Sequence, residues 1–207
     1  MSANVKMLVE PGKRARSKAA NRRAILDAGR RVFARIGFEA TTVRDIIRET
    51  ELAAGTFYNY FKCKEEVFEA IAEDSTHRYR DLLSGVRERA LTPEAYMREA
   101  YRAYFALIAQ DNKQAISEGA PHIALIGVRV DTPEMLAVAS EIQADLERIL
   151  SADNAGGIDI DYLAAAAIGV AREMGEVMLR RRPVDVDGAT EFASRMLMAS
   201  IRELAAK

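Results

Sequence analysis

The chain contains few residues that interrupt helices and few that build metal or nucleophilic sites. Among 207 residues there are 5 prolines, 12 glycines, 2 histidines and 1 cysteine. A single cysteine forms neither an intrachain disulfide nor a cysteine-based zinc cluster. The histidines and the cysteine have no partners arranged for nucleophilic or metal chemistry, and no nucleotide-binding or hydrolase fingerprint is present. We therefore predict that the protein is not an enzyme and has no catalytic residue, no metal site and no cofactor.

Long apolar runs are also missing. No run approaches the roughly 18 apolar residues that a bilayer span needs, and the charged N-terminus lacks the apolar stretch of a signal peptide. These absences predict a cytoplasmic protein without a membrane partner. Because 49% of the residues are apolar, we expect a substantial folded core rather than disorder.

The net charge of −1 hides two segments of opposite sign. Residues 1–64 contain 14 lysines and arginines against 6 acidic residues, a balance of +8, whereas residues 65–207 contain 16 against 25, a balance of −9. A basic first third predicts that only this end of the chain meets a polyanion. Within it, residues 1–20 form a predicted flexible basic arm. Charge alone leaves a basic tail on an ordinary enzyme equally open.

Hydrophobic spacing predicts an all-α chain. In the first predicted helix, from about residue 21, apolar side chains recur at the spacing of one buried face: Ile25, Ala28, Val32, Phe33 and Ile36. Thr42 is a suitable N-cap for a second helix, and a third begins near residues 53–54. Phe57 and Phe61 lie one turn apart on this third helix and are able to pack on the first two. Residues 21–64 are therefore predicted to form a helix-turn-helix domain.

The rest of the chain, residues 65–207, is predicted to form a second, helical domain. A threonine followed by a proline opens two of its helices, because threonine caps a helix and proline is tolerated at the first helical position. These pairs are Thr92-Pro93 and Thr132-Pro133. Cys63 stands at the cap of the preceding helix, with Glu66 three residues on as in a capping box. Its flanking lysines also allow a redox role for the thiol, against the simpler interpretation of a tolerated substitute for serine.

The segment from Thr41 to Glu66 carries the chemistry of a nucleic-acid contact. Arg44 lies on the second helix, opposite its apolar side chains. Polar side chains surround the third helix outside its apolar face: Thr56, Tyr58, Asn59 and Tyr60. Asparagine forms bidentate contacts with adenine, the threonine methyl touches thymine, and tyrosine hydroxyls reach phosphate oxygens. Lys64 adds a cation to the first turn of the next helix, where it is poorly placed unless an anion is bound.

Two runs of residues resemble the TetR family of transcriptional regulators. The run GTFYNYF at residues 55–61 is similar to the family's recognition helix, and RAILDAGRRVFARIGFEATTVRDI at residues 23–46 is similar to its first two helices. The resemblance implies an N-terminal three-helix DNA-binding domain followed by a helical effector-binding and dimerisation domain. It also implies contacts with a palindromic double-stranded DNA operator at Thr42, Arg44, Thr56, Tyr58, Asn59, Tyr60 and Lys64.

The second domain offers candidates for dimerisation and for ligand binding. Small residues are dense in the last two predicted helices, which allows the close helix approach of a dimeric four-helix bundle. Five polar side chains interrupt apolar or irregular stretches and are candidate ligand contacts: Tyr101, Tyr104, His122, Arg172 and Glu173. Each of them is also compatible with an ordinary core or surface role.

The combined pattern predicts a homodimeric transcriptional repressor that a small-molecule effector releases from its operator. Two other hypotheses stay open. In the first, the protein is a DNA-binding regulator that is controlled by a protein partner or is constitutive. In the second, more distant one, it is a helical enzyme with a basic tail.

Overall fold

The computed structural model describes residues 12–90, 92–120, 132–152 and 157–206. All regular structure in these ranges is α-helical, which confirms the predicted fold class. The helices are α1 (Lys13–Ile36), α2 (Val43–Arg48), α3 (Ala54–Tyr58), α4 (Lys64–Arg89), α5 (Pro93–Asp111), α6 (Lys113–Ser117), α7 (Pro133–Ala152), α8 (Ile160–Arg180) and α9 (Val186–Ala205). Within the same ranges, no helix has the length and apolar character that crossing a bilayer requires.

The first three helices and the start of α4 surround one hydrophobic core. Ile25 and Phe33 of α1 are fully buried, as the periodicity predicts, together with Ile46 of α2 and Phe57 of α3. Ile36, expected in the same stripe, is exposed because α1 ends at this residue. Packing in this core fixes the relative positions of α2 and α3.

Helix α1 begins at Lys13, well before the predicted start near Asn21. The flexible arm predicted for residues 1–20 is therefore wrong from Lys13 onward, and residues 1–11 lie outside the described residues. Lysine, arginine and alanine are strong helix formers, and after Gly12 nothing interrupts the run KRARSKAANRR. Residues 13–20 are exposed, so this extension has no apolar stripe by which periodicity could have detected it.

Three predicted helix starts are confirmed by their caps. Thr42 accepts the backbone N–H of Asp45 while the Asp45 carboxylate accepts the backbone N–H of Thr42, which completes a capping box. Thr92 and Thr132 each accept a backbone N–H from the residue three positions on. Threonine at these positions therefore sets where α2, α5 and α7 begin.

The capping box predicted at Cys63 is wrong. Cys63 is the N-cap residue of α4, but its side chain makes no capping hydrogen bond. The Glu66 carboxylate instead accepts the backbone N–H of Lys62 at 2.7 Å. A thiol is a weak acceptor, which explains why Cys63 does not cap the helix. Glu66 bonds to the backbone one residue before the cap position, and α4 starts without a side-chain cap.

The second half of α4 and helices α5, α7, α8 and α9 enclose a second, larger core. Helix α5 lies at its centre, since it packs against α4, α8 and α9. The fully buried Phe105 stacks on Tyr101, with ring centroids 5.9 Å apart. Buried side chains from the surrounding helices close the core: Leu83, Leu146, Leu179 and Ala193. The two cores therefore share α4.

The packing of α1 on α4 depends on Gly29. A Cβ atom at this position would lie 2.8 Å from Cγ1 of Val67 and 3.2 Å from Cδ1 of Ile71, both on α4. Val67 and Ile71 are fully buried, so neither side chain has room to move. A residue without a side chain is what lets the two helices meet here.

We expect Gly29→Ala to lower the free energy of unfolding by about 1–3 kcal/mol, the usual cost of overpacking a well-packed core. Gly85→Ala is the matched control on α4, because the three atoms nearest to its added Cβ belong to the guanidinium of Arg89, which is free to swing away. The control should be neutral or more stable by up to about 1 kcal/mol, since alanine is the better helix former. Urea titration followed by circular dichroism measures both; equal destabilisation would contradict the packing argument.

Candidate nucleic-acid interface and ligand cavity

The α2–turn–α3 segment presents polar side chains that the sequence indicates as DNA contacts. Arg44 on α2 and Tyr58 and Asn59 at the end of α3 are exposed, Tyr58 by 58%. Thr56 and Tyr60 are half-buried. The apolar faces of both helices are turned into the first core. One polar surface of this segment is therefore available to a partner.

Thr42 is exposed, but its hydrogen-bonding groups are engaged. Its hydroxyl donates to Oδ2 of Asp45 at 2.6 Å, and its backbone N–H donates to the same oxygen at 3.0 Å. Together these bonds hold the pKa of the Asp45 carboxyl below its usual range, and the bond from the hydroxyl has the larger effect. A threonine hydroxyl has one proton, so Thr42 has no donor left for a phosphate while the cap is intact. A DNA contact from this residue stays a prediction.

Lys64 also has partners within the protein. Its Nζ donates to the carbonyl oxygens of Phe38 at 2.8 Å and Glu39 at 3.0 Å, and lies 4.7 Å from the centre of the Phe38 ring. Two carbonyl groups and an aromatic face stabilise this cation, so the prediction that Lys64 needs an external anion is wrong. Lys64 fastens the start of α4 to the turn after α1. Its contact with DNA stays a prediction.

Glu49 joins the end of α2 to α1. Its carboxylate accepts Nε–H of Arg31 at 2.9 Å and Nη1–H of Arg35 at 3.1 Å. The hydrogen bond from Arg31 is the main reason that the pKa of Glu49 lies below its usual value, and Arg35 adds to the effect. This ion pair fixes α2 on α1, and with it the direction in which the exposed face of α2 points.

We expect Glu49→Gln to destabilise the protein by about 1 kcal/mol at neutral pH and by less in acid. A carboxyl whose pKa is lowered in the folded state contributes stability above its unfolded value, near 4.5 for Glu49, and loses that contribution as pH falls through the lowered value. Calorimetry of wild type and variant across this range measures the effect. Glu69→Gln, an exposed change on α4, is the control. A difference between wild type and Glu49→Gln that stays constant in acid would contradict the assignment.

The N-terminal half of α1 adds a basic surface. Most of this surface lies within residues 1–20, which were predicted to be a flexible arm. Its exposed cations are Lys13, Arg14, Arg16, Lys18, Arg22 and Arg23. The guanidinium of Arg22 lies 5.6 Å from the centre of the Phe61 ring, which brings this part of α1 beside the residues that follow α3. Positive charge therefore flanks the polar α2–α3 surface, where it attracts a polyanion.

A cavity of about 360 Å³ lies inside the second core, between α4, α5, α7 and α8. One face of α5 lines it from end to end, with residues three or four positions apart: Met97, Tyr101, Tyr104, Ile108 and Asp111. The walls from α7 and α8 are mainly apolar. Both the volume and the apolar lining are typical of small-molecule sites.

Three of the five candidate ligand contacts line this cavity: Tyr101, Tyr104 and Arg172. The Tyr101 hydroxyl already donates to the carbonyl oxygen of Ala167 at 3.1 Å. Glu173 is 67% exposed and pairs with Arg172 at 2.8 Å, so it meets solvent rather than the cavity. His122 lies outside the described residues.

Other parts of the cavity wall are not indicated by the sequence. Ser75 from α4 and Asp111 at the end of α5 meet there. Both Nη atoms of Arg78 donate to the Asp111 carboxylate at 2.7 Å, and the Ser75 hydroxyl donates to it at 2.8 Å. Tyr79 of α4 is also a wall residue. Ile71, Ser75 and Tyr79 follow one another at intervals of one helical turn, so the spacing from the buried Ile71 could have indicated Ser75 and Tyr79 from the sequence. Nothing in the sequence pairs Arg78 with a residue 33 positions away.

A known family matches the segment that builds the first core. The sequence profile described as "Bacterial regulatory proteins, tetR family" matches residues 25–71, from the buried face of α1 to the first turns of α4. The chain is a member of the TetR family of transcriptional regulators. It is therefore a DNA-binding regulator with a helix-turn-helix domain, which confirms that prediction and excludes the helical enzyme.

Relatives named as transcriptional regulators share different lengths of this TetR-family chain. TcmR of Streptomyces glaucescens is 27% identical over 188 residues, which cover 89% of this chain and 82% of TcmR. The repressor KstR2 of Rhodococcus jostii is 31% identical over 90 residues, 42% of this chain and 44% of KstR2. Similarity to TcmR therefore extends through both cores, whereas similarity to KstR2 covers less than half of either protein.

Solved structures share the fold. The regulator FadR of Bacillus subtilis, in complex with stearoyl-CoA, superposes with a TM-score of 0.71 at 17% identity, covering 84% of this chain and 96% of FadR. A tetR-family regulatory protein from Rhodococcus RHA1 superposes with a TM-score of 0.65 at 19% identity, covering 89% and 96%. At these identities the likeness establishes the TetR-family fold and nothing finer.

In this TetR-family chain, ion pairs run from α1 through α4 to the cavity wall. Asp74 of α4 pairs with Nη2 of Arg30 on α1 at 2.7 Å and with Arg78, one turn further along α4, at 3.3 Å. Arg78 in turn holds Asp111 on α5. The four side chains therefore connect the first core to one end of the cavity.

Proposed function

We propose that this protein is a dimeric repressor that releases its operator when a small molecule enters the cavity between α4, α5, α7 and α8. The observation that carries the proposal is the double role of α4. Val67 and Ile71 pack on α1 in the first core, while Ser75 and Tyr79, one and two turns further on, line the cavity. A ligand that shifts this part of α4 acts directly on the DNA-binding domain.

For the operator we assign two kinds of contact. Arg44 and Asn59 read base edges, because arginine and asparagine form bidentate hydrogen bonds with guanine and adenine, and Thr56 offers its methyl group to thymine. Tyr58 and Tyr60 bind phosphate oxygens, and the cations of α1 add sequence-independent attraction. Arg44 and Tyr58 are the strongest candidates, since both are exposed on the polar surface of the α2–turn–α3 segment.

For the dimer we assign the interface to α8 and α9. Large apolar side chains are exposed on these two helices: Tyr162, Val177, Phe192, Met196 and Leu204. Phe192 is 62% exposed, and several large apolar side chains exposed on one helix pair are typical of an interaction site. A second copy is the occupant, because two helix pairs related by a two-fold axis form a four-helix bundle. It also supplies the second DNA-binding domain that a palindromic operator requires.

The ion pairs from α1 to the cavity give the coupling a physical route. An occupant that shifts α5 relative to α4 moves the Arg78–Asp111 pair, and because Arg78 also pairs with Asp74, this movement reaches the Asp74–Arg30 pair on α1. Effector and operator then weaken each other's binding by the same factor, as linkage requires. A coupling free energy of about 1–3 kcal/mol is enough for a useful switch, and a few partly exposed ion pairs supply an amount of that order.

One solved relative supports ligand binding in this fold. The FadR of Bacillus subtilis was solved with stearoyl-CoA. At 17% identity that ligand carries no information about the effector of this chain. It does demonstrate that a protein of this architecture accommodates a small molecule.

The DNA-binding part is tested with a duplex selected from random sequence by the wild-type protein. We expect Arg44→Ala and Tyr58→Ala each to weaken binding to that duplex by about tenfold or more, because a lost specific contact costs about 1–3 kcal/mol. Arg89→Ala, 65% exposed at the far end of α4, is the control and should bind like wild type. Fluorescence anisotropy at two salt concentrations measures affinity, and sedimentation measures the number of chains per duplex.

Two outcomes would contradict this assignment. An equal loss in Arg89→Ala would mean that net charge, and not the α2–α3 surface, governs binding. One chain per duplex at saturation, with a monomeric free protein, would contradict the dimer.

The ligand-responsive part is tested by blocking the cavity. Ala139→Phe places a benzyl group in the cavity wall, which has space for it, so the variant should fold and bind the duplex. Small molecules that raise the melting temperature of wild-type protein in a diverse library should also release the duplex. Both effects should disappear in Ala139→Phe.

Release that persists in the blocked variant would place the effector site elsewhere. If no compound of the library stabilises the protein although specific DNA binding is intact, the alternative of a regulator that is controlled by a protein partner or is constitutive is favoured.

A further inference from the structure

The cavity is elongated, and its mainly apolar lining includes a few polar side chains. Because α5 rises about 1.5 Å per residue, its lining face extends about 21 Å from Met97 to Asp111. The wall from α7 is apolar and includes Val138 and Leu146. Polar side chains line the cavity from the middle of this face onward: Tyr104 lies about 10 Å from both Met97 and Asp111, and Ser75, Asn112 and Arg172 are also in the wall. An occupant that fits this lining has an apolar body and one polar terminus.

The Tyr104 hydroxyl is available to such a terminus. The hydroxyls of two other cavity tyrosines are taken, since Tyr96 donates to Asp145 at 2.7 Å and Tyr101 donates to Ala167 at 3.1 Å. Tyr104 makes no hydrogen bond to any described residue. Burial raises the pKa of Tyr104 to about 12, so at neutral pH its hydroxyl keeps the proton and acts as a donor. Among the described residues this hydroxyl has no acceptor, so an occupant of the cavity can supply one.

Arg172 approaches the same place from α8. It lies three residues before Gly175, on the same helix face, and the Gly175 position touches both Ile108 and the ring of Tyr104. The charge of Arg172 offsets part of the rise in the pKa of Tyr104, as expected of a cation close to that hydroxyl. Its own partner, Glu173, is exposed to solvent, and exposed ion pairs are weak and easily exchanged.

Among the described lining residues, the one acidic side chain is Asp111, and it does not cancel the charge of Arg172. Both carboxylate oxygens of Asp111 are bound by Arg78, and the Ser75 hydroxyl adds a third hydrogen bond. Its negative charge is therefore already neutralised by a cation of its own. What remains for an occupant is one phenol donor and one guanidinium whose partner is in water.

We propose that the effector is an elongated, mainly apolar molecule with a carboxylate or similar anionic group at one end, bound by Tyr104 and Arg172. The inference rests on the ligand-responsive function proposed above and specifies which chemistry the cavity selects. Tyr104 donates one hydrogen bond to the anionic group, and Arg172 exchanges Glu173 for it. The apolar body lies along α5 toward Met97.

The test compares three probes of equal chain length that differ only in the end group: decanoate, decanol and decylammonium. Isothermal titration calorimetry with wild-type protein should show decanoate binding about tenfold more tightly than decanol, because charge-assisted hydrogen bonds are roughly twice as strong as neutral ones. Decylammonium should bind most weakly. All binding should be lost in Ala139→Phe, which identifies the cavity as the site.

Two variants separate the roles of the two side chains. Arg172→Gln should reduce decanoate affinity to that of decanol, while Tyr104→Phe should weaken both probes by a few-fold. Arg180→Gln is the matched control, because Arg180 also pairs with a neighbouring glutamate on α8 but does not line the cavity. Thermal unfolding of each variant without ligand excludes a folding defect as the cause.

The failure of this proposal is distinguishable from failure of the function. Decanol or decylammonium binding as tightly as decanoate would overturn the anionic end group and leave a ligand-responsive regulator intact. An unchanged decanoate affinity in Arg172→Gln would also overturn it. If no probe binds wild-type protein, the proposed ligand class is wrong, and the operator-release experiment with the library decides the function independently.

Discussion

The 26 residues of α4 enter the first core at one end and the second core at the other. A helix of this length extends about 39 Å. Val67 and Ile71 are buried against α1, and Leu83 and Val86 are buried near the far end, so a tilt that suits one core alters the packing of the other. Gly29 lets α1 pack so closely on Val67 and Ile71 that this end of α4 cannot slide along α1. The orientation of the DNA-binding surface therefore depends on how the second core is packed.

Hydrophobic packing and ion pairs contribute differently to this arrangement. Packing of the two cores supplies the main driving force for folding, whereas a partly exposed ion pair contributes at most about 1 kcal/mol. Arg30–Asp74 and Arg78–Asp111 are thus exchangeable at small cost, as a switch of about 1–3 kcal/mol requires. By contrast, Asp145 of α7 is buried, and its carboxylate accepts a hydrogen bond from Nε of Arg87, near the end of α4, at 2.5 Å. Helix α4 is therefore held near its C-terminal end by a buried ion pair, and near α1 by close packing together with exchangeable ion pairs.

The features that the sequence predicts well are local ones. Thr42 and Thr92 find their partners within three residues, and the tyrosines of α5 follow from the periodicity of one helix. Lys64 shows the limit: a cation at a helix N-terminus does need a compensating group, but that group is the carbonyl of Phe38, 26 residues earlier. Gly29 is important only because α4 packs directly over it. The hydrophobic periodicity of one helix does not indicate where a second helix will cross it. The extension of α1 was missed because it rests on helix propensity rather than on an apolar face.

The size of the cavity limits how it can be lined. A closed, dry void of 360 Å³ would cost about 9 kcal/mol at roughly 24 cal/mol per Å³, which is comparable with the entire stability of a domain, but this cavity is partly open to solvent. Polar side chains in the wall, such as Ser75, Asn112 and Arg172, lower this cost further because they allow water to occupy part of the space. A molecule that replaces this water along the apolar walls gains the free energy of burying its own hydrocarbon. The arrangement that keeps the protein stable without a ligand therefore also selects a ligand that is apolar along its length and polar at one end.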